Sequence, residues 1–137
     1  MIDVRDLRIG NYVQLYRHGE DSKMSIHKIN DIFRYKGEVE YNVSFEDNFY
    51  CNLSGIEPIL LTPEILEKCG FEHGMCYYKN DIELTAKDWD KEFNENNPLF
   101  FTINCNEYNV SDNPILYLHQ LQNLYYAINQ KELEVKL

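Results

Sequence analysis

Residues 38–45 read Glu38-Val39-Glu40-Tyr41-Asn42-Val43-Ser44-Phe45, a strict alternation of polar and apolar side chains. A period of two puts Val39, Tyr41, Val43 and Phe45 on one face and Glu38, Glu40, Asn42 and Ser44 on the other, as a half-buried strand requires. Turn signals bound the segment: Tyr35-Lys36-Gly37 before it and Glu46-Asp47-Asn48 after it. Working outward, Asn11–Arg17, Ser25–Arg34 and Phe49–Leu53 are short and rich in β formers, with His18-Gly19-Glu20-Asp21 turning between the first two. Four short strands joined by tight turns predict a curled antiparallel sheet, of the kind that can close as a small SH3-like barrel.

The remainder mixes helix and strand. Ile56–Leu61 reads as an extended connector. Thr62 then caps a short helix with Pro63 at its first position and Gly70 just past its end, and Ile65, Leu66 and Cys69 form the inner stripe. Met75–Lys79 and Ile82–Thr85 read as a hairpin across Asn80-Asp81. Leu99–Cys105 is an apolar strand, turned by Asn106-Glu107 into Tyr108–Val110. Leu118, Leu121, Tyr125 and Ile128 recur at helical spacing and predict a helix over Ile115–Gln130, about 24 Å long. The tail Lys131–Leu137 is expected to fray. The expected fold class is α+β: the curled sheet, a short helix, further antiparallel strands and a C-terminal helix. All of it is expected in one compact domain over 1–137, with a β part of about 1–60 and an α+β part of about 61–137.

Charge and composition narrow the function. The net charge is −10. Residues 1–44 hold seven Lys+Arg and seven Asp+Glu, whereas residues 45–137 hold six Lys against sixteen Asp+Glu. All four arginines (5, 8, 17 and 34) lie in the first quarter. An acidic field repels phosphate backbones and attracts basic surfaces, so the later two-thirds is a poor grip for nucleic acid. No apolar run approaches the roughly 20 residues of a membrane span. The opening MIDVRDLRIG carries charges where a signal peptide is apolar, so a cytoplasmic protein is expected. Cysteines 51, 69, 76 and 105 form no C-x-x-C pair, which favours free thiols over a disulfide framework. Fifteen Asn, twelve Ile and eleven Tyr against two Ala suit an AT-rich genome.

Three segments carry a family resemblance. Asp6-Leu7-Arg8-Ile9-Gly10-Asn11-Tyr12-Val13 opens the chain. Ile56-Glu57-Pro58-Ile59-Leu60-Leu61-Thr62 runs into Glu64-Ile65-Leu66-Glu67-Lys68-Cys69-Gly70-Phe71. His119-Gln120-Leu121-Gln122-Asn123-Leu124-Tyr125-Tyr126-Ala127 lies near the end. In this order they resemble an uncharacterised family of small proteins common in Bacteroidetes chromosomes, prophages and phages. The resemblance covers roughly a third of the chain. It implies a phage or mobile-element setting, and hence the cytoplasm of a bacterial host, but brings no activity with it. It also implies that Cys69, where the family has Phe, is a core residue, and that Ala86–Asn97 is an insertion.

Candidate chemistry is sparse. Cys69-x3-His73-x2-Cys76 is the nearest approach to a metal site, but its spacing is not that of a zinc ribbon or finger and a fourth ligand must come from elsewhere. Two buried thiols and a surface histidine explain the same residues. Cys105, His119 and Asp112 supply the residue types of a hydrolase, yet no Gly follows Gly74 to build an oxyanion turn. There is no P-loop, G-x-G-x-x-G or H-E-x-x-H. Arg8, Tyr12, Tyr16, Arg17, Arg34, Tyr35 and Tyr41 of the N-terminal sheet could stack and neutralise nucleic acid, or simply pack across strands and balance local acids. Thr85-x-x-Asp88 matches a capping box, so Ala86–Glu95 reads as a short helix. It sets Trp89 and Phe93 on one face inside an acidic rim of Asp88, Asp90, Glu92 and Glu95. Exposed, that pair is a hot spot for a basic partner; folded inward, it is core.

The sequence thus points to a non-enzymatic acidic protein of phage or mobile-element origin that docks on a protein with a basic surface. A concrete form is an inhibitor of a host nucleic-acid-handling defence effector such as a CRISPR nuclease. A nucleic-acid-binding module working through the N-terminal sheet is the alternative class, and an enzyme without a recognisable motif is the third. No cofactor, metal or membrane anchor is expected.

Overall fold

A computed structural model of the chain describes residues 2–15, 25–46, 48–80, 82–86, 101–105, 108–109 and 114–137. The fold is α+β, with two antiparallel sheets and two α-helices. The chain divides into two compact units: Met1–Ile59 with Leu118–Glu132, and Leu60–Tyr117 with Leu133–Leu137. Among the described residues, no helix is long and apolar enough to cross a membrane.

In the first unit, β1 (Tyr12–Leu15), β2 (Ser25–Phe33), β3 (Asn42–Phe45), β4 (Tyr50–Asn52) and β5 (Ile56–Glu57) form one sheet in the order β4-β3-β2-β1-β5. The register shifts between Ile29 and Asp31, so β2 pairs with β1 through its first half and with β3 through its second. Such a bulge bends the strand and lets one sheet wrap a core. Val13, Leu15, Ile29, Val43, Phe45 and Ile56 fill that core. Among the described residues the sheet stays open, with β4 and β5 as its two edges and no closed barrel.

The alternating stretch 38–45 is only half a strand. Gly37 turns the chain at φ +93°, the Glu38 carboxylate accepts a hydrogen bond from Asn42 Nδ2 at 2.9 Å, and β3 begins at Asn42. Val43 and Phe45 are buried as the alternation requires, but Val39 is 93% exposed. The turn geometry spends the first four residues before the ladder can use them.

Helix α2 (Leu118–Asn129) belongs to this first unit and packs beside β1. It starts three residues later than its periodicity predicts, because Ile115 and Tyr117 form bridges with Phe101 and Leu60. Leu118, Leu121 and Tyr125 are buried, and so are the polar residues His119 and Gln122. Gln122 reaches the end of β1 that β5 does not cover: Tyr12 N–H donates to its Oε1 at 2.9 Å, and its Nε2 donates to the Gly10 carbonyl at 3.0 Å. Asn123 Nδ2 donates to the Asp6 carbonyl at 2.7 Å, while its Oδ1 accepts from Asn11 Nδ2 at 2.8 Å. Asn11 Oδ1 in turn accepts the Arg8 N–H at 2.8 Å. The Arg8 guanidinium grips the Glu132 carboxylate with both terminal nitrogens and lies 4.3 Å from the Tyr126 ring centroid.

In the second unit, α1 (Pro63–Lys68) starts as expected, with Thr62 Oγ1 accepting the Ile65 N–H at 3.0 Å, and Gly70 follows at φ +83°. The sheet order is β10-β9-β8-β7-β6, from β6 (Glu72–His73), β7 (Tyr77–Lys79), β8 (Ile82–Ala86), β9 (Phe101–Cys105) and β10 (Tyr108–Asn109). Lys79 pairs with Ile82, which confirms the two-residue hairpin, and Asn80 supplies its positive φ of 52°. Ala86 pairs with Phe101, so it ends a strand and does not open the expected helix. The tail is anchored where fraying was expected: Leu133 is 4% exposed and Lys136 N–H donates to the Lys68 carbonyl at 2.9 Å.

Replacing Gln122 by Leu keeps its bulk but orphans Tyr12 N–H and the Gly10 carbonyl. The expected loss is about 1–3 kcal/mol for each group, read by urea unfolding; an unchanged midpoint would show that the side-chain bonds carry no stability. Arg8 holds the Glu132 carboxyl below its usual range. Because the folded value is depressed, this exposed pair contributes fully above the ordinary glutamate pKa and is lost as pH falls through the folded one. The stability gap between wild type and Glu132→Gln, about 0.2–1 kcal/mol at neutral pH, is therefore expected to close by pH titration into the acid range. A gap that persists there would mean that packing, not charge, makes the difference.

Candidate functional site

Strand register separates an inner from an outer face of the N-terminal sheet. Ile32 pairs with Val43 and Val43 with Cys51, and all three lie in or against the core. The alternate set falls on the other side: Asp31 pairs with Ser44 and Ser44 with Tyr50, while Phe33 pairs with Asn42 and Asn42 with Asn52. The outward face of an antiparallel sheet is normally polar. Here it carries Phe33, with Tyr35 edge-on at 5.3 Å and Tyr50 tilted at 6.0 Å between ring centroids. Tyr35 and Tyr50 are 56% and 55% exposed. Phe49, also exposed, stacks on core Phe45 at 6.2 Å. Arg34 lies 4.9 Å from the Tyr41 centroid.

Arg34 and Lys36 flank Tyr35 in sequence, whereas the stretch that follows is acidic, with Lys28 Nζ 3.9 Å from the Glu46 carboxylate. Residues 38–57 hold Glu38, Glu40, Glu46, Asp47 and Glu57 but no Lys or Arg. The Ser54 N–H donates to Glu40 Oε1 at 2.7 Å, and hydrogen bonds from the Ser54 side chain and then its N–H lower the Glu40 pKa. Asp31, on the outer face itself, is exposed and accepts the Ile32 N–H at 2.8 Å. Exposed aromatic rings beside fixed carboxylates favour a cationic ligand, through ring quadrupole and Coulomb attraction together.

The sequence-derived sites fare unevenly. Asp88, Trp89, Asp90, Glu92, Phe93 and Glu95 lie outside the described residues, as do Tyr16 and Arg17. Arg8 is engaged by Glu132 and Arg34 lies over Tyr41, while Arg5 pairs with Asp3, whose carboxyl it lowers to about 2. These arginines form no common furrow: each has a partner of its own. Tyr12 is half-buried and lines a shallow cavity of about 280 Å³ with Ile26, His27, Lys28, Phe45 and Glu46. Of the expected aromatics, Tyr35 joins the outer cluster. Phe33, Phe49 and Tyr50 escaped the sequence reading. Phe33 and Tyr35 at i, i+2 were the available signal, because that spacing shares one strand face.

The remaining chemistry-bearing side chains show no constellation. Among the described residues, no three His, Cys, Asp or Glu side chains gather to hold a metal. Cys69 is fully buried, which pushes its thiol up to about 12. His73 is exposed and stacks on Tyr77 at 4.3 Å. Burial of His119 lowers its pKa, while Asp6 pulls it upward. Asp112 and the Cys105 side chain lie outside the described residues. Comparison with protein-family models, with curated proteins and with solved structures finds no match.

Thiol labelling checks this placement. In native protein, Cys76, which is partly exposed, should be alkylated first, Cys51 more slowly, and Cys69 only on unfolding. Peptide mapping by mass spectrometry distinguishes them. Fast native labelling of Cys69 would mean that α1 does not cover it.

Proposed function

We propose that this chain is a non-catalytic, acidic protein-binding protein that receives a basic segment of another protein on the aromatic outer face of its N-terminal sheet. The rings of half-buried Phe33 and of exposed Tyr35 and Tyr50, beside a stretch 38–57 that holds five carboxylates and no Lys or Arg of its own, carry this reading. Guanidinium groups sit well on tyrosine faces, and the chain's own Arg8 and Arg34 already do so at 4.3 and 4.9 Å. Aromatic anchors supply binding energy, and the acidic field steers the encounter and rejects acidic competitors. The acid-rimmed segment Asp88, Trp89, Asp90, Glu92, Phe93 and Glu95 stays in this reading as a second contact.

In a phage or mobile-element setting, within the cytoplasm of a bacterial host, the target is a nucleic-acid-handling defence effector such as a CRISPR nuclease. Such an effector must present a basic surface to bind its own substrate, and an acidic protein inhibits it by covering that surface. The family resemblance supports the setting, and the charge supports the kind of surface.

Exposed rings near Arg34 and Lys36 also favour a second reading, stacking of single-stranded nucleic acid. Titrating the chain with an arginine-rich peptide and with a single-stranded oligonucleotide separates the two. The peptide should bind, weaken as salt rises, and lose affinity about tenfold or more in the Tyr35→Ser/Tyr50→Ser double variant at unchanged melting temperature. Oligonucleotide binding with no peptide binding would replace the proposal by the second reading.

A further inference from the structure

We infer that the basic segment binds as an added β-strand on the outer edge of β4, an inference that rests on the docking function proposed above. β4 pairs with β3 alone and is one edge of its sheet. The ladder fixes the direction of its main-chain groups. Phe45 N–H donates to the Phe49 carbonyl and Leu53 N–H to the Tyr41 carbonyl, both at 2.9 Å. In an antiparallel pair these bonds recur at every second residue. Phe49, Cys51 and Leu53 therefore turn their polar groups toward β3, and Tyr50 and Asn52 turn theirs away from it. Among the described residues, nothing hydrogen-bonds the N–H of Tyr50 or Asn52.

Natural edges are guarded by lysine, proline, a bulge or an inward charge. Tyr50-Cys51-Asn52 is guarded only by its shortness, three residues, and carries no lysine, proline, bulge or inward charge; it borders an acidic stretch with no base from residue 38 to residue 57. The same acidity disfavours pairing of this edge with a second copy of itself and favours a cationic strand. An added strand lies about 4.8 Å beyond β4, with side chains alternating between the two faces. Every second side chain then falls on the outer face beside Tyr50 and Phe33, where an Arg or Lys meets the ring faces. The others fall on the Cys51 side, which suits β-branched apolar residues. The occupant is therefore an extended segment of alternating basic and β-branched residues, recognised by main-chain bonds for affinity and by alternate side chains for specificity.

The probe is a short peptide of alternating arginine and valine, titrated against wild type and Asn52→Pro. Asn52 already has φ −67° and its N–H faces away from β3, so proline fits the backbone and removes only the outward donor. Affinity should fall about tenfold or more with an unchanged melting temperature, and the peptide should slow hydrogen exchange of the Tyr50 amide in wild type. Equal affinity for both proteins with no protection of Tyr50 would overturn strand addition while leaving the docking function intact. Peptide binding by neither would overturn the docking function itself. If Asn52→Pro fails to fold, peptides N-methylated at alternate amides decide the matter. One methylated set abolishes binding if a strand is added, and indifference to both sets overturns the inference. Concentration-dependent dimerisation of the chain alone, with Tyr50 protected, would also overturn it in favour of a second copy.

Discussion

The N-terminal unit depends on two adjacent amides of α2. Gln122 and Asn123 replace backbone partners that the sheet cannot supply: β5 is too short to cover the whole outer edge of β1, and the segment before β1 is not a strand. Each buried main-chain group left without a partner would cost about 1–3 kcal/mol, offsetting much of what the helix gains by burying its apolar stripe. The helix is thus a polar patch as much as an apolar lid. Asn11, fully buried, completes the arrangement by bonding both to Asn123 and to the Arg8 backbone. The segments 6–13 and 119–127 meet in this clamp. Hydrogen bonding within the fold accounts for Arg8, Asn11, Gln122 and Asn123.

That division leaves the outer face of the sheet to carry function. The clamp and the core absorb Arg8, Asn11, Gln122 and the inward set of β-strand residues, whereas Tyr35 and Tyr50 stay exposed around half-buried Phe33. Charge separates in the same way. The first unit holds eight Lys+Arg against eleven Asp+Glu, a net of −3, and the second holds five Lys against twelve Asp+Glu, a net of −7. The acidic excess is mostly in the second unit, but the β3–β4 stretch of the first holds five carboxylates and no base of its own, and Lys28 of β2 pairs with Glu46 alone among them. Local sign within a Debye length matters more for a docking surface than the total.

Local rules were legible. The Thr62 cap, Pro63 and Gly70 set α1 because each acts over one helical turn, and Asn80-Asp81 set the β7–β8 hairpin because two residues suffice. Errors arose wherever a distant partner intervened. Val39 fits the apolar phase of its stretch yet points into water, since the turn at Gly37 takes precedence. Ile115 and Tyr117 fit the helical phase yet pair as bridges. Ala86 fits a capping box yet belongs to the β8–β9 ladder.

The sequence by itself determined the α+β class, most of the strands, the two helices and the acidic field, because periodicity, capping and charge are properties of neighbouring residues. Only the tertiary structure decided that α2 returns to the N-terminal sheet, with bonds between residues 110 or more positions apart. Only it decided that Phe33, Tyr35 and Tyr50 share an exposed face. A residue's period states which neighbours in its own strand share its side of the sheet. Which side is the core is settled when strands from elsewhere in the chain pair and bury one face.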